Sequence, residues 1–219
     1  MNIKDSAKTI LCFGDSNTWG DNPRTVKRHP RYPRSIRWPY VLQKLLGDEY
    51  EVISEGLCGR TLVAEDPVKK HRTGITHLQT ILETVDPINL IIVMLGTNDT
   101  KNMYNLSARD IETHLEQVIS LIKDERIRLE KKPGILIVCP PSPIASKNGG
   151  QMIREQEIFK TLPDLFKKSA EKFGCDFLNA GDYITSSDVD GIHLEPEAHQ
   201  KLAEVISERI ISSKIESVE

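Results

Sequence analysis

Nowhere in the 219 residues does an apolar run approach the ~18 residues of a membrane span. The run nearest the N-terminus, Ile10-Leu11-Cys12-Phe13, is also far short of the roughly 7–15 residues at the heart of a secretion signal. An excess of one charge is missing too. Lys and Arg number 29 against 32 Asp and Glu, and the resulting net charge of -3 excludes both a broad nucleic-acid surface and a polyacidic tail. Cysteine is sparse, at four residues with no C-x-x-C pair, so neither a zinc site nor a redox couple is expected. Cys12, Cys139 and Cys175 lie in apolar, strand-like runs where a thiol acts as a small hydrophobe. Cys58, beside Gly59, reads as an unreactive loop thiol because no His partner is indicated nearby. His71, His77, His114 and His199 show no metal-ligand spacing and read as surface or helix-face residues. Internal repeats and low-complexity tracts are absent. Together these absences predict a cytoplasmic protein with no metal, no cofactor, no nucleic-acid partner and no membrane association.

What is present is ordinary globular composition, 38% hydrophobic and 28% charged, in a chain long enough to bury a core without disulfides or metal. Strand-like and helix-like segments alternate throughout, which predicts one domain over residues 1–219. Short apolar runs at 9–13, 50–54, 89–95, 135–139 and 175–178 read as strands. The third is apolar throughout from Leu90 to Leu95, as expected of a strand covered on both faces. Helical spacing marks 38–46, 75–85, 107–129, 151–173 and 195–211. Pro163 is expected to kink or interrupt the fourth of these, and Pro196 suits the first turn of the last. Alternation of this kind implies right-handed crossovers between parallel strands, hence an α/β protein built as a three-layer α/β/α sandwich.

In such sheets ligands collect beyond the carboxyl ends of the strands. Four polar clusters belong to that rim: Gly14-Asp15-Ser16-Asn17, Gly56-Leu57-Cys58-Gly59-Arg60-Thr61, Gly96-Thr97-Asn98-Asp99 and Asp190-Gly191-Ile192-His193. Cleaving an ester with serine takes a hydroxyl, a base held in one tautomer, and donors for the oxyanion. Ser16 ends a strand and opens a helical turn, where free N–H groups and a partial positive charge accumulate. Alone it reads better as a plain N-cap, a very common use of serine. His193 follows Asp190 by three residues across Gly191, so the carboxylate can reach one ring nitrogen and leave the other facing a site. The competing reading is a turn followed by a surface histidine. Gly59 lets its N–H approach a substrate oxygen, and Asn98 can offer a side-chain amide, although each could simply serve a turn. With the Ser16 N–H they form three convergent donors, and it is their co-occurrence on one rim that favours catalysis.

These blocks resemble those of the SGNH (GDSL-type) hydrolases: Ser16, Gly59, Asn98 and His193 match the four named positions, and Asp190 the acid of the D-x-x-H block. The stretch Leu11–Gly20, the Arg37-Trp38 pair, Glu55-Gly56-Leu57 and the stretch Met94–Lys101 resemble the bacterial arylesterase/acyltransferase branch more closely. The resemblance implies a flavodoxin-like five-stranded parallel sheet, no metal, and hydrolysis of short acyl esters, a small-molecule substrate. It also implies acyl transfer by some members and a compact homo-oligomer. Asn17 departs from it, standing where many relatives carry Leu or Ile. An O-deacetylase of carbohydrates or other metabolites would use the same triad. A non-catalytic binding module would keep the fold, and a nucleotide-binding flavodoxin-like protein would need more glycines in its first loop.

Trp19 and Ile192 are candidates to line an acyl pocket, or to sit in the core. Lys101 is a candidate for the pocket rim, or a solvated lysine. The loops 21–37 and 140–150 are long enough to shape a pocket. The segment 24–37, with Arg24, Lys27, Arg28, Arg31, Arg34 and Arg37 near Tyr32 and Trp38, could bind nucleic acid or an anionic acyl carrier. It reads better as a solvated or subunit-contacting loop. The polar end at 212–219 is expected to fray.

Overall fold

A computed structural model describes residues 3–25, 30–124, 127, 129–147 and 152–213. The expected end at 214–219, Lys27 and Arg28 of the basic segment, the loop residues 148–150 and the expected helix start at Gln151 lie outside the described residues.

Five strands, β1 (Lys8–Gly14), β2 (Tyr50–Gly56), β3 (Leu90–Met94), β4 (Gly134–Cys139) and β5 (Asp176–Asn179), form one sheet in the order β2-β1-β3-β4-β5. Every adjacent pair is parallel. This is the predicted flavodoxin-like arrangement, whose strand order reverses beside β1. β3, central and apolar throughout, is buried at every position.

Alternation along the strands separates two cores. Leu11, Phe13, Ile91, Val93, Ile135 and Ile137 face α3 (Gly74–Val85), α4 (Ala108–Ile122) and α6 (Leu162–Lys172). Ile10, Cys12, Ile92, Met94, Leu136 and Val138 face α2 (Trp38–Leu46) and α7 (Pro196–Ser213). Sheet residues two apart share a face, so each strand feeds both layers and three layers result. A one-turn helix α1 (Ser16–Trp19) and a short α5 (Ile153–Phe159) complete the helices used below.

The expected helix over 107–129 is shorter. Ser107 caps it, accepting from the Asp110 N–H while Asp110 accepts from the Ser107 N–H at 2.8 Å, and it ends at Ile122. The buried stripe Ile111, Leu115, Val118, Ile119 and Ile122 is then complete, and Lys123 and Asp124 give a further turn nothing apolar to bury. The expected helix over 151–173 is two helices. Pro163 stands in the first turn of α6, where a missing N–H costs little.

Register delivers the rim. Gly14 lies opposite Gly56 in β2 and Met94 in β3. Ser16, Gly59 and Asn98 follow that line by two, three and four residues, so three loops leave the sheet side by side.

Candidate active site

Asp15 and not Ser16 caps α1: its Oδ1 accepts the Asn17 N–H at 2.9 Å. Both residue types cap well, and the structure assigns the task to the first of them. Burial lifts the Asp15 carboxyl to about 6, against the lowering effects of the Asn17 N–H and the His193 charge. Ser16 is thereby freed from capping. Its Oγ lies 3.0 Å from His193 Nε2, and His193 Nδ1 lies 2.6 Å from Asp190 Oδ2.

The Asp190 block is held from within. Asp190 Oδ1 accepts from Ile192 N at 2.9 Å and His193 N at 3.0 Å. Gly191, at φ +80°, makes the turn, and a Cβ there would meet Ile144 O at 2.2 Å. Burial pushes the Asp190 carboxyl up, but hydrogen bonds from the His193 ring and from the two backbone N–H groups outweigh it and hold the pKa below the usual range. Burial alone would depress His193; the bond to Asp190, with the charges of Asp190, Asp21 and Asp15, raises it above an ordinary imidazole. A hydroxyl, an imidazole and a carboxylate thus form one line along which a proton can leave oxygen.

The donors are arranged beside it. Ser16 N–H, at the first position of α1, and Gly59 N–H donate to no partner among the described residues. Gly59 adopts φ +81°, a left-handed turn that favours glycine. Asn98 stands in the 3₁₀ turn Asn98–Thr100 after β3; its Nδ2 donates to Arg60 O at 3.0 Å and approaches Asp15 Oδ2 at 3.4 Å. Arg60 in turn ties the first two loops, donating to Gly14 O at 3.0 Å and to Glu55 O, with its guanidinium over the Phe13 ring. Burial lowers its pKa to about 10. Asp99, fully buried, receives the Leu62 N–H and so ties the second loop to the third.

A cavity of about 350 Å³ opens over these groups, lined by Ser16, Gly59, Asn98 and His193 among others. A larger and shallower depression, about 730 Å³ around Tyr183 and Lys201, contains none of the four.

With the cavity built from four separate loops, the comparison with known proteins is decisive. The sequence model of the GDSL-like lipase/acylhydrolase family matches residues 12–201. The chain belongs to this family. It is an acylhydrolase of the SGNH type, as its four blocks predict. Among solved structures it is similar to an inhibitor-bound aryl esterase of M. smegmatis, with 32% identity, a TM-score of 0.88, and coverage of 94% of this chain and 99% of that one. It is similar also to a carbohydrate acetylesterase family member from Sinorhizobium meliloti, at 33% identity, TM-score 0.86, and 94% and 98% coverage. An acetylxylan esterase of Xylanibacter ruminicola is 24% identical over 94% of this chain, which spans 44% of that protein's length.

Within this GDSL-family cavity the secondary expectations divide. Lys101 and Ile192 line it. Trp19 does not, which corrects the expectation. It lies one turn on from Ser16, and its ring takes the Arg31 guanidinium at 4.7 Å while its carbonyl accepts from Arg31 at 2.7 Å. His199 is corrected as well: it lies on a helix face but fully buried, its Nδ1 accepting from Trp38 N at 3.4 Å, and burial pulls it down to about 4. The basic segment engages its own chain. Arg24 pairs with Glu195 at 2.7 Å, and Arg34 and Arg37 lie over Tyr40. Cys58 does line the cavity, but burial and the Asp21 carboxylate push its thiol to about 12, leaving it protonated and a poor nucleophile. Among the described residues no group of three His, Cys, Asp or Glu could hold a metal ion, and no helix is long and apolar enough to cross a membrane.

Sequence reasoning missed Asp21, Lys69, Thr97, Thr100, Pro143, Met152 and Glu155 as lining residues. Only the length of the 21–37 and 140–150 loops hinted at Asp21 and Pro143.

Asn17, the departure from the resemblance, has a defined place. It is 2% exposed; its Oδ1 accepts from Leu194 N at 3.1 Å and its Nδ2 reaches Ile192 O at 3.4 Å. One amide therefore joins α1 to both neighbours of His193. Asn17→Leu fills similar volume but strands those two backbone groups, at a cost of about 1–3 kcal/mol. Its melting temperature should fall by roughly 2–4 °C for each kcal/mol. Thermal denaturation checks this, and an unchanged melting temperature would deny the amide that role.

Proposed function

We propose that the chain is a serine esterase that cleaves short-chain acyl esters through an acyl-enzyme. The observation that carries this is the pair of contacts on His193, one nitrogen on Ser16 Oγ and the other on Asp190. In this reading His193 Nε2 takes the Ser16 proton as Oγ attacks the carbonyl carbon. Asp190 holds the tautomer and stabilises the imidazolium. Ser16 N–H, Gly59 N–H and Asn98 receive the oxyanion. Asn98 carries two N–H donors; the bond to Arg60 occupies one and orients the amide, and the second, only loosely engaged by Asp15, is available to the substrate. Each such donor is worth on the order of 100-fold in turnover. As the intermediate collapses, the C–O bond to the alcohol breaks and the Nε2 proton goes to the leaving oxygen. Water, deprotonated by His193, then releases the acid. An alcohol entering in place of water would give acyl transfer, as the resemblance implies. The cavity of about 350 Å³, shared between acyl and alcohol groups, suits short chains.

A second reading, deacetylation of carbohydrate or other O-acetylated metabolites by the same residues, is favoured by the cavity's charged walls, Asp21, Lys69, Lys101 and Glu155. The printed names of two similar proteins, a carbohydrate acetylesterase and an acetylxylan esterase, point the same way. A non-catalytic binding module would tolerate a degenerate triad, and this one is complete in type and spacing. We carry a single domain, a homo-oligomer and a cytoplasmic address as part of the same proposal; one sheet takes up all five strands, and the four cysteines are free.

A fluorophosphonate probe tests the assignment. It is expected to label the wild-type protein at Ser16, and labelling that persists in Ser16→Ala refutes it.

A further inference from the structure

One carboxylate in the cavity has no part in the relay. The Asp21 backbone N–H donates to Ser16 O at 3.0 Å, fixing the residue directly after α1 and its closing Gly20. Its Oδ2 lies 3.9 Å from His193 Nε2 and 3.7 Å from Cys58 Sγ, with the side chain about one-fifth exposed. A thiol is a weak donor. Among the described residues the imidazole is the sole basic side chain within ion-pair distance of Asp21. The carboxylate therefore keeps acceptor capacity directed at the cavity.

Its place beside Nε2 gives that capacity a meaning. Nε2 is the atom that returns a proton to the leaving oxygen, so that oxygen must come within hydrogen-bond reach of it, roughly 2.8 Å. The carboxylate then lies next to the alcohol half of the ester, close to the carbon adjoining the ester oxygen. We propose that Asp21 selects the leaving alcohol by accepting a hydrogen bond from a hydroxyl on the carbon next to that one, so that the preferred substrates are esters of vicinal diols and polyols. The inference rests on the serine-esterase reading and names the alcohol that reading leaves open.

Two physical arguments separate this class from its competitors. An aryl or plain alkyl leaving group would strip water from the Asp21 carboxylate and return no donor, which is costly. An ammonium-bearing alcohol would satisfy Asp21 but would share the cavity with Lys69 and Lys101. A neutral hydroxyl meets the acceptor without either penalty. Selectivity of this kind arises because a site built to bond a hydroxyl rejects the analogue that lacks it.

A matched pair of substrates tests it: 1-acetoxypropan-2-ol, with a hydroxyl beside the ester carbon, and n-propyl acetate, without one. The wild type is expected to favour the hydroxy ester in kcat/KM by about tenfold or more. Asp21→Leu should bring the ratio close to one, and Asp21→Asn, which keeps a neutral acceptor, should fall between. Fluorophosphonate labelling of Ser16 is run on every variant. A wild type that is not labelled sinks the esterase reading itself. A labelled wild type without preference, or a labelled Asp21→Leu with the wild-type ratio, overturns the role of Asp21 alone. Asp21→Asn is isosteric and carries the comparison if Asp21→Leu fails to fold, an unchanged ratio there again counting against the proposal.

Discussion

Ser16→Ala is expected to lower turnover by about 10⁴-fold or more while leaving the melting temperature almost unchanged. The two halves of that result come from different atoms. The hydroxyl meets His193 Nε2 at 3.0 Å and bonds to nothing else among the described residues, so its loss removes the attacking atom. Helix α1 is capped by Asp15, and alanine keeps the Cβ, so the local fold loses little. His193 Nε2 remains beside the cavity, where water can satisfy it. Residual rate above the uncatalysed reaction would come from the Gly59 and Asn98 donors. Initial rates on an aryl acetate, set beside a thermal melt, separate the outcomes. A variant that turned over normally would place the nucleophile elsewhere, and one that melted early would return Ser16 to a structural role.

Asp190→Asn is expected to cost about 10³–10⁴-fold in kcat, through His193. The amide can present an N–H where the ring Nδ1–H needs an acceptor, and the imidazolium loses its partner at 2.6 Å. The pH dependence carries a distinct signature. Activity requires neutral His193, and the raised pKa of His193 places the acid limb of kcat/KM above the ordinary imidazole value. Removing the Asp190 charge moves that limb to lower pH, with Asp21 and Asp15 still holding part of the shift.

Stability follows the same pair with the signs reversed between partners. The raised pKa of His193 stabilises the fold fully below its unfolded value near 6.5, and this is lost as pH rises through the folded value. The lowered pKa of Asp190 stabilises above roughly 4, and this is lost as pH falls through its folded value. The coupled pair therefore contributes most between about pH 4 and 6.5. Melting temperatures of wild type and Asp190→Asn should differ most in that window. A constant difference across pH would show that the ionic pairing is not what the substitution removes.

Much of this is legible in the sequence, and for a common reason. The continuous apolar run of β3, the stripe of α4 and Pro196 at the start of α7 are short-range patterns that local geometry translates directly. Asp190 and His193 are three residues apart, so their contact too is nearly local. The errors fall where neighbouring residues offered the same chemistry. Asp15 and Ser16 are both capping types, and only packing decided which one caps. Trp19 is close to Ser16 in sequence, yet helical rotation carries its ring to Arg31 and not to the cavity.

By itself, then, the sequence determined the alternation of strands and helices, the three-layer α/β/α class and the residue types of the four blocks, while the flavodoxin-like sheet came from the family resemblance. Only the tertiary structure decided that Ser16 meets His193 across 177 positions, that Asn17 holds both flanks of that histidine, that Arg60 orients Asn98, and that Asp21 stands beside Nε2. Periodicity and turn chemistry act over a few residues, whereas these contacts depend on the register and crossovers that bring separate strand ends to one rim, and on side-chain directions that no spacing rule encodes.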